Sequence, residues 1–268
     1  MSKVQCFYFS PTSNTKKIVE AVASGICEEK IENDLTFVDK NLDQYVVDSN
    51  EIAVIGVPVY GGRVPEVILD SLKRIKGNGA YAVAVVTYGN RAYEDSLLEL
   101  KNILVEQNFK VVAAGAFIGE HSYTKKVATN RPDELDLKKA IDFGKDVVAK
   151  IKTNTNNITE PSIPGNYPYK ERSKRIFSPH GNRKCVYCRR CPVVCPVGAI
   201  DMRKPDIVDE EKCIHCCACI KVCSFNGREL LDEWVIEKIK MLETNCIDRK
   251  EPEILFKLRR GCCKLIIF

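Results

Sequence analysis

The chain has 268 residues, of which 45 % are hydrophobic and 29 % are charged, and its formal net charge is +5. This length is enough for two domains with sizeable cores, and no run of 18 apolar residues predicts a transmembrane helix. The N-terminus, "MSKVQCFYFSP", lacks the charged, apolar and small-residue regions of a secretory signal. We therefore expect a cytoplasmic protein without a membrane span.

Strand-like and helix-like segments alternate along roughly the first 150 residues. Apolar, β-branched runs such as "KVQCFYF" and "EIAVIGVPVY" predict buried strands, and the apolar spacing in "NTKKIVEAVASGICEEK" predicts a helix. Alternation at these lengths is typical of an α/β, doubly wound parallel sheet, here with five strands and helices on both faces. The predicted strands lie at 3–9, 34–39, 51–60, 80–89 and 110–119, and the predicted helices at 14–30, 64–76, 91–107 and 132–152.

The loop "SPTSNT" joins the first predicted strand to the first helix. In doubly wound folds, ligands bind beyond the carboxyl ends of the strands. Free N–H groups and the helix dipole favour a phosphate at such a position, although the same residue types also act as simple helix caps. The candidate phosphate-binding residues are Ser10, Thr12, Ser13, Asn14 and Thr15.

The loops after the third and fourth predicted strands, "PVYGGRVP" and "TYGNRAY", combine glycines with tyrosines. Glycine permits a close backbone approach, and tyrosine stacks on a flat ring. A phosphate at one loop and a planar ring between the other two predict bound flavin mononucleotide (FMN). The candidate ring-binding residues are Pro58, Val59, Tyr60, Gly61 and Gly62 in the first of these loops, and Thr87, Tyr88, Gly89, Asn90, Arg91, Ala92 and Tyr93 in the second.

The segment "FSPTSNT" resembles the phosphate loop of flavodoxins, Ser/Thr-x-Thr-Gly-Asn-Thr, and the resemblance covers roughly residues 1–152. It implies a flavodoxin-like fold that binds FMN. Ser13 stands where glycine is usual, and if this position needs a positive φ, serine costs about 1 kcal/mol there. His121, in "GEHSY" after the fifth strand, either reaches the ring edge or is a surface-loop histidine.

Nine of the fourteen cysteines fall between residues 185 and 223, in a chain that we expect to meet a reducing compartment. This clustering favours metal ligation over disulfides. The spacing C-x2-C-x2-C-x3-C occurs twice, and while one copy is compatible with zinc, two copies predict two [4Fe–4S] clusters. The first copy is Cys185, Cys188, Cys191 and Cys195, and the second is Cys213, Cys216, Cys219 and Cys223.

In this spacing, the fourth cysteine of each copy ligates the cluster of the other copy. The first cluster is therefore expected on Cys185, Cys188, Cys191 and Cys223, and the second on Cys213, Cys216, Cys219 and Cys195. Cys217 lies outside this rhythm and is expected to be a spectator. The pattern is similar to that of bacterial dicluster ferredoxins over roughly residues 180–230, although Ser224 stands where the first copy has Pro196.

Four regions follow from these patterns. We expect a flavodoxin-like FMN domain at 1–152, a linker at 153–179, a small α+β ferredoxin-like domain at 180–228, and a C-terminal helix and tail at 229–268 that dock on the fold. The linker is long enough to allow several placements of the domains. Cys6 and Cys27 are expected to be core thiols. Cys246, Cys262 and Cys263 are expected to be ordinary tail cysteines, and a second metal or thiol role is the alternative.

The whole chain resembles the flavodoxin–ferredoxin fusion proteins of anaerobes. This implies electron transfer between two [4Fe–4S] clusters and FMN, and on to a redox protein partner. The alternatives are an FMN-dependent oxidoreductase that reduces a small molecule, and a redox sensor. Electrons pass within one chain or across a head-to-tail homodimer.

The positive charge of the chain gives little support to nucleic-acid binding. Two clusters and a flavin phosphate, at about −2 each, bring the net charge near −1. Eight Lys or Arg residues and one acid, Glu171, lie between Lys170 and Arg190. This basic stretch neutralises cluster charge or docks an acidic partner.

Overall fold

The computed structural model describes residues 3–37, 44–153 and 159–256. Strands and helices alternate through the first of the predicted domains, as the apolar periodicity indicates. No helix within these ranges is long and apolar enough to cross a membrane. The elements up to residue 153 are β1 (Val4–Tyr8), α1 (Asn14–Ile26), β2 (Lys30–Asp34), β3 (Tyr45–Val46), β4 (Ile52–Pro58), a 3-10 turn (Glu66–Ile68), α2 (Leu69–Lys73), β5 (Ile75–Lys76), β6 (Tyr81–Tyr88), α3 (Ser96–Glu106), β7 (Lys110–Ile118) and α4 (Glu134–Thr153).

The remaining elements are shorter and belong to the cysteine-rich region and the C-terminal segment. Two four-residue helices there follow the cysteine turns, and one longer helix packs back on the α/β part. These elements are β8 (Pro179–Gly181), α5 (Arg190–Val193), α6 (Ala218–Lys221), β9 (Arg228–Leu230), α7 (Glu233–Asn245) and β10 (Glu253–Leu255).

The central sheet has the strand order β10-β7-β6-β4-β1-β2. Five of these strands are parallel, and β10 pairs antiparallel with β7 through Ile254 and Gly115. The parallel strands follow the 2-1-3-4-5 order of flavodoxin-like folds, whose switch point lies between the first and third strands. The predicted α/β class is thus confirmed, and the sixth strand, from the C-terminal segment, was not expected.

Three predicted elements differ from the observed ones. The second strand lies at Lys30–Asp34 rather than at 34–39, and residues 38–43 are outside the described ranges. The helix predicted at 64–76 is a 3-10 turn followed by the short α2. The C-terminal helix starts at Glu233 because the Asp232 side chain caps it by accepting a hydrogen bond from Val235 N, and Arg228–Leu230 pairs with β8 instead.

Helices cover both faces of the sheet, and one crossing requires glycine on each helix. Helix α1 packs on α4 so closely that a Cβ at Gly25 would lie 2.0 Å from the Ile141 carbonyl oxygen. A Cβ at Gly144 would lie 2.1 Å from the Val22 carbonyl oxygen. The two glycines therefore let the helix backbones touch, and this seats α1 and the loop before it firmly on the sheet.

The segment 159–179 follows a single path over the α/β part. Asp95 accepts hydrogen bonds from the N–H groups of Asn166 (2.8 Å) and Lys170 (2.7 Å). Arg172 pairs with the buried Glu99 at 2.9 Å, and Glu99 also pairs with Arg63 at 2.7 Å. The expected linker is thus tied to helix α3 and to the loop after β4.

The C-terminal segment packs against the same end of the sheet as residues 159–179. Arg249 pairs with Asp133 at 2.6 Å, and Arg131 donates to the Lys250 carbonyl oxygen at 2.7 Å. Docking of this segment on the fold is confirmed up to Phe256. The tail that carries Cys262 and Cys263 lies outside the described residues.

We predict that Glu99→Ala destabilises the fold by about 3–5 kcal/mol, because it leaves the Arg63 and Arg172 guanidinium groups without their shared carboxylate in a largely buried site. Glu106→Ala, on an exposed position of the same helix, should change the free energy of unfolding by less than about 0.5 kcal/mol. Urea denaturation of the purified proteins measures both. Equal stability of the two variants would contradict the importance of this ion-pair network.

Candidate functional site

The loop between β1 and α1 has the backbone conformation that the sequence comparison with flavodoxins suggested. Ser13 lies at φ 64°, in the left-handed region, and its N–H donates to the Ser10 carbonyl oxygen at 3.1 Å. A non-glycine residue pays about 1 kcal/mol for this conformation. The loop keeps its tight turn despite the serine.

The first turn of α1 presents N–H groups at the carboxyl end of β1. Lys16 N donates to Ser10 Oγ at 3.0 Å, and Lys17 N donates to the Ser13 carbonyl oxygen at 3.2 Å. Within the described residues, the N–H groups of Asn14 and Thr15 have no protein acceptor. Unpaired donors at the start of a 13-residue helix suit a phosphate, and the loop therefore fits the phosphate end of FMN.

The five candidate phosphate residues differ in how their side chains are placed. Ser10 is buried, and the Thr15 hydroxyl is buried against that of Thr87, 2.5 Å away. The Asn14 amide donates to the Glu120 carbonyl oxygen at 3.2 Å, which joins this loop to the one after β7. Thr12 is partly exposed and Ser13 is exposed.

The loop after β4 forms a tight turn at Tyr60, Gly61 and Gly62. Tyr60 and Arg63 exchange two backbone hydrogen bonds, and Gly61 and Gly62 both have positive φ. Gly62 lies at φ 85°, where any L side chain is strained, and a Cβ there would lie 1.9 Å from Glu94 Oε2. Pro58 ends the strand, and Val59 N donates to the Thr87 carbonyl oxygen at 2.9 Å. The turn leaves Gly61 exposed at the carboxyl end of the sheet.

Most side chains of the loop after β6 are engaged in contacts with other parts of the protein. The rings of Tyr88 and Tyr93 pack edge to face, 5.6 Å apart, and are buried. The Tyr93 hydroxyl donates to Glu253 at 2.6 Å, and the Asn90 amide donates to the carbonyl oxygens of Cys246 and Asp248, each at 2.8 Å. These contacts do not support ring stacking by the tyrosine side chains, which was predicted for this loop.

The other predicted residues of this loop are also engaged. A Cβ at Gly89 would lie 2.5 Å from the His121 ring, so glycine is needed for that approach. The Arg91 guanidinium pairs with Glu94 at 2.7 Å, and Ala92 is partly buried. The contacts of Gly89, Asn90 and Tyr93 leave no local signal in the sequence, because their partners lie 32 to 160 residues away, whereas Arg91 and Glu94 are only three residues apart.

His121 is packed rather than exposed, unlike a surface-loop histidine. Its Nδ1 accepts a hydrogen bond from Tyr123 N at 3.1 Å. Burial lowers the pKa of His121 to about 4, and the charges of Lys221 and Arg91 lower it as well. The imidazole is therefore neutral near pH 7.

The eight motif cysteines surround two cavities, and each cavity takes its fourth cysteine from the other sequence copy. Each encloses about 340 Å³ of empty space, including its open mouth. Within the described ranges, no three His, Cys, Asp or Glu side chains are close enough to hold a single metal ion. The first cavity is lined by Cys185, Cys188, Cys191 and Cys223, and the second by Cys195, Cys213, Cys216 and Cys219.

The two copies share an unusual backbone. Tyr187 and Arg189 have φ values of 55° and 62°, and His215 and Cys217, at the matching positions, have 58° and 57°. Left-handed residues on either side of a cysteine curl the chain around the cavity. Each copy also directs a backbone N–H to its last cysteine.

These N–H···S hydrogen bonds are nearly equal in length. Ala199 N lies 3.2 Å from Cys195 Sγ, and Gly227 N lies 3.1 Å from Cys223 Sγ. Hydrogen bonds to sulfur orient thiolate ligands and tune the metal that they hold. Two sets of four thiols, each with such a donor, fit two iron–sulfur clusters.

Cys217 is buried beside the second cavity. Its Sγ donates to the His215 carbonyl oxygen at 3.7 Å, and burial raises its pKa well above the ordinary value. The residue occupies the left-handed position between two motif cysteines, which is filled by Arg189 in the other copy. This placement agrees with a role in the turn rather than in ligation.

The second cavity lies against the loop after β4. Ile214, Val59 and Tyr60 all pack against the same buried apolar cluster of the α/β part. Burial raises the pKa of Tyr60 well above its ordinary value, and the nearby thiols of Cys216 and Cys217 raise it further. The cysteine turn and the candidate ring-binding loop are therefore neighbours within one chain.

Aromatic residues that the sequence patterns did not single out complete this contact. The rings of Phe177 and His215 are stacked, with centroids 3.8 Å apart, and Tyr123 meets Phe177 edge to face at 6.1 Å. Lys221, in α6, also forms an ion pair with Glu120, whose carbonyl oxygen binds Asn14. In the sequence, this contact was signalled only by the aromatic residues of the linker and of the loop after β7.

Comparisons with known proteins match only parts of the chain. No protein-family model matches it. A stretch of 57 residues is 33 % identical to NADH-quinone oxidoreductase subunit I 2 of Rhodopseudomonas palustris strain BisB18, and it covers 20 % of this chain and 33 % of that protein. The chain thus spans about one third of the length of the curated relatives that it matches.

The structure is also similar to solved flavodoxins. A flavodoxin from the domain Archaea is 17 % identical, with a TM-score of 0.38, over 56 % of this chain and 99 % of that one. The flavodoxin of Fusobacterium nucleatum bound to flavin mononucleotide is 18 % identical, with a TM-score of 0.39, over 57 % of this chain and 99 % of that one.

We predict that Cys217→Ala retains the iron content of the anaerobically purified protein, whereas Cys219→Ala loses or converts one cluster. Both thiols line the second cavity, but only Cys219 belongs to the repeated spacing. Iron and acid-labile sulfide assays with electron paramagnetic resonance (EPR) spectra measure the outcome. Loss of iron from the Cys217 variant alone would show that the ligand assignment is wrong.

Proposed function

We propose that this protein is an electron-transfer flavo-iron–sulfur protein, which passes electrons between two [4Fe–4S] clusters and FMN and exchanges them with a redox protein partner. The observation that carries the proposal is the packing of the second cysteine cavity against the candidate ring-binding loop at Tyr60. Two redox sites that touch through the same few residues are suited to direct exchange. The name of the curated relatives, a subunit of an NADH-quinone oxidoreductase, supports a redox role for the matched fifth of the chain.

The residues of this chain have separate tasks in the proposal. The eight motif cysteines hold the clusters, and the N–H groups of Asn14 and Thr15 hold the FMN phosphate. When bound, FMN supplies a two-electron store that can exchange electrons singly, and the clusters carry them one at a time. Tyr60 and the backbone of Gly61 face the ring end. Ile214 and the Phe177–His215 stack keep water out between the two sites.

The two cysteine cavities differ in their access to a partner. Cys188 in the first cavity is exposed, whereas Cys216 and Cys219 in the second are buried. The first cavity is therefore the one that a partner protein reaches, and the second faces inward. This arrangement favours an electron carrier over the alternative, an FMN-dependent enzyme for a small molecule.

The proposal is tested first by composition. Anaerobically purified protein should contain about eight iron atoms, matching sulfide and one FMN per chain. Stoichiometric zinc without acid-labile sulfide, or the absence of flavin after reconstitution, would overturn it.

We further predict that flavin reduction in the holoprotein, started by rapid reduction of the clusters, proceeds at a rate independent of protein concentration. Contact within one chain replaces a diffusional encounter with a high effective concentration. Stopped-flow absorbance at flavin wavelengths measures this rate. The control mixes full-length protein depleted of flavin with full-length Cys219→Ala protein that retains flavin, and transfer in this mixture should be slower and concentration-dependent. A linear rise of the holoprotein rate with concentration would exclude internal transfer.

The surface around the first cavity indicates the chemistry of the partner. Val186 and Tyr187 expose about half of their surface, as does Phe225. The neighbouring Arg189 and Lys184 form no ion pair within the described residues. An apolar patch with unpaired basic residues suits an acidic redox protein, which such charges steer into place.

We predict that Lys184→Glu/Arg189→Glu slows electron uptake from a reduced acidic ferredoxin at least tenfold at low ionic strength, because it reverses the steering charge. Uptake by the wild-type protein should also slow as salt is added. Lys110→Glu, at the opposite end of the sheet, is the matched control and should change the rate little. If the double variant accepts electrons as fast as this control, the partner does not bind at this face.

A further inference from the structure

Arg228 is a buried cation without a counter-ion among the described residues. It is the first residue of β9 and is only 5 % exposed. Its Nη1 donates to the Pro179 carbonyl oxygen at 2.8 Å, and its Nη2 is buried without a hydrogen-bond partner. No carboxylate within the described ranges forms an ion pair with it. A buried guanidinium without a counter-ion destabilises the folded state, so we looked for a functional reason for its burial.

The position of Arg228 gives a functional reason for its burial. The side chain lines the first cavity together with Cys185 and Cys223. Pro179, which accepts the hydrogen bond from Arg228 Nη1, lines the second cavity together with Cys195 and Cys219. Arg228 therefore lies between the two cavities.

We propose that Arg228 is the shared counter-ion of the two clusters and raises their reduction potentials. The inference rests on the proposed function, since it assumes that both cavities hold clusters. A cluster with four thiolates is anionic, and each added electron increases its negative charge. A fixed cation in a buried site stabilises the reduced form more than the oxidised form. The unpaired Nη2 also offers a donor to sulfur, which acts in the same direction.

A purely structural role is the competing explanation, because Nη1 binds Pro179 at the junction with β8. Three variants separate the two roles. Arg228→Lys keeps the charge, Arg228→Gln keeps a hydrogen-bond donor without the charge, and Arg228→Met keeps neither. A structural role depends on shape and hydrogen bonding, whereas the counter-ion role depends on charge.

The measurement is an EPR-monitored redox titration of the holoprotein, with iron and sulfide assays on every sample. At a fixed potential near the wild-type midpoint, the ratio of reduced to oxidised cluster should fall at least tenfold in Arg228→Gln and Arg228→Met. For a one-electron couple, this is a midpoint lower by about 59 mV. The ratio in Arg228→Lys should fall less than threefold. Arg189→Gln, which removes an exposed arginine that lines the same cavity, is the matched control and should change the ratio less than threefold, because water screens that charge.

Each outcome bears on the inference. If Arg228→Gln and Arg228→Met lose iron while Arg228→Lys keeps it, the charge is needed to assemble the clusters, which also supports the counter-ion role. Unchanged potentials in iron-replete Arg228→Gln would overturn it, and so would loss of iron from all three variants. Wild-type protein without clusters would instead refute the proposed function, so the two failures are distinguishable.

Discussion

The packing of the second cysteine turn against the loop after β4 is the contact on which the rest of the structure depends. Ile214 and Val59 pack against the same apolar cluster of the α/β part, and His215 stacks on Phe177. The stability of this contact comes from the burial of apolar and aromatic surface. Without this contact, the two candidate redox sites would be separate units joined by a chain, and their distance would vary.

Polar interactions hold this placement from three sides. Glu99 gathers Arg63 and Arg172, which ties the segment before the cysteines to the loop that carries Tyr60. Lys221 pairs with Glu120 on the opposite side, next to the phosphate loop. A linker of this length could allow several arrangements of the two parts. These largely buried ion pairs select one arrangement, because breaking any pair leaves a buried charge without its partner.

The C-terminal segment stabilises this placement from a third side. Strand β10 extends the sheet beyond β7. Asn90, in the loop after β6, donates to the carbonyl oxygens of Cys246 and Asp248 just before this strand, and Tyr93 donates to Glu253 within it. That loop is thus fixed from outside the α/β part, and its tyrosines belong to the core. The ring end of the candidate flavin site is left mainly to Tyr60, Gly61 and the cysteine turn.

Local patterns in the sequence determined the parts of this protein that depend on neighbouring residues. Strand and helix alternation predicted the parallel sheet, and the cysteine spacing predicted three neighbouring thiols in each cavity, because both arise from short-range backbone geometry. The fourth thiol of each cavity, Cys223 or Cys195, comes from the other copy, and the repeated spacing predicted it. The resemblance to flavodoxins raised a left-handed turn at Ser13 only as a condition, and the structure places this residue at φ 64°. Only the tertiary structure decided the roles of Asn90 and Tyr93, the burial of Arg228 between the cavities, and the contact of residues 213–217 with Tyr60. Each of these depends on residues about 50 to 160 positions apart, whose approach is set by packing and ion pairing rather than by any local pattern.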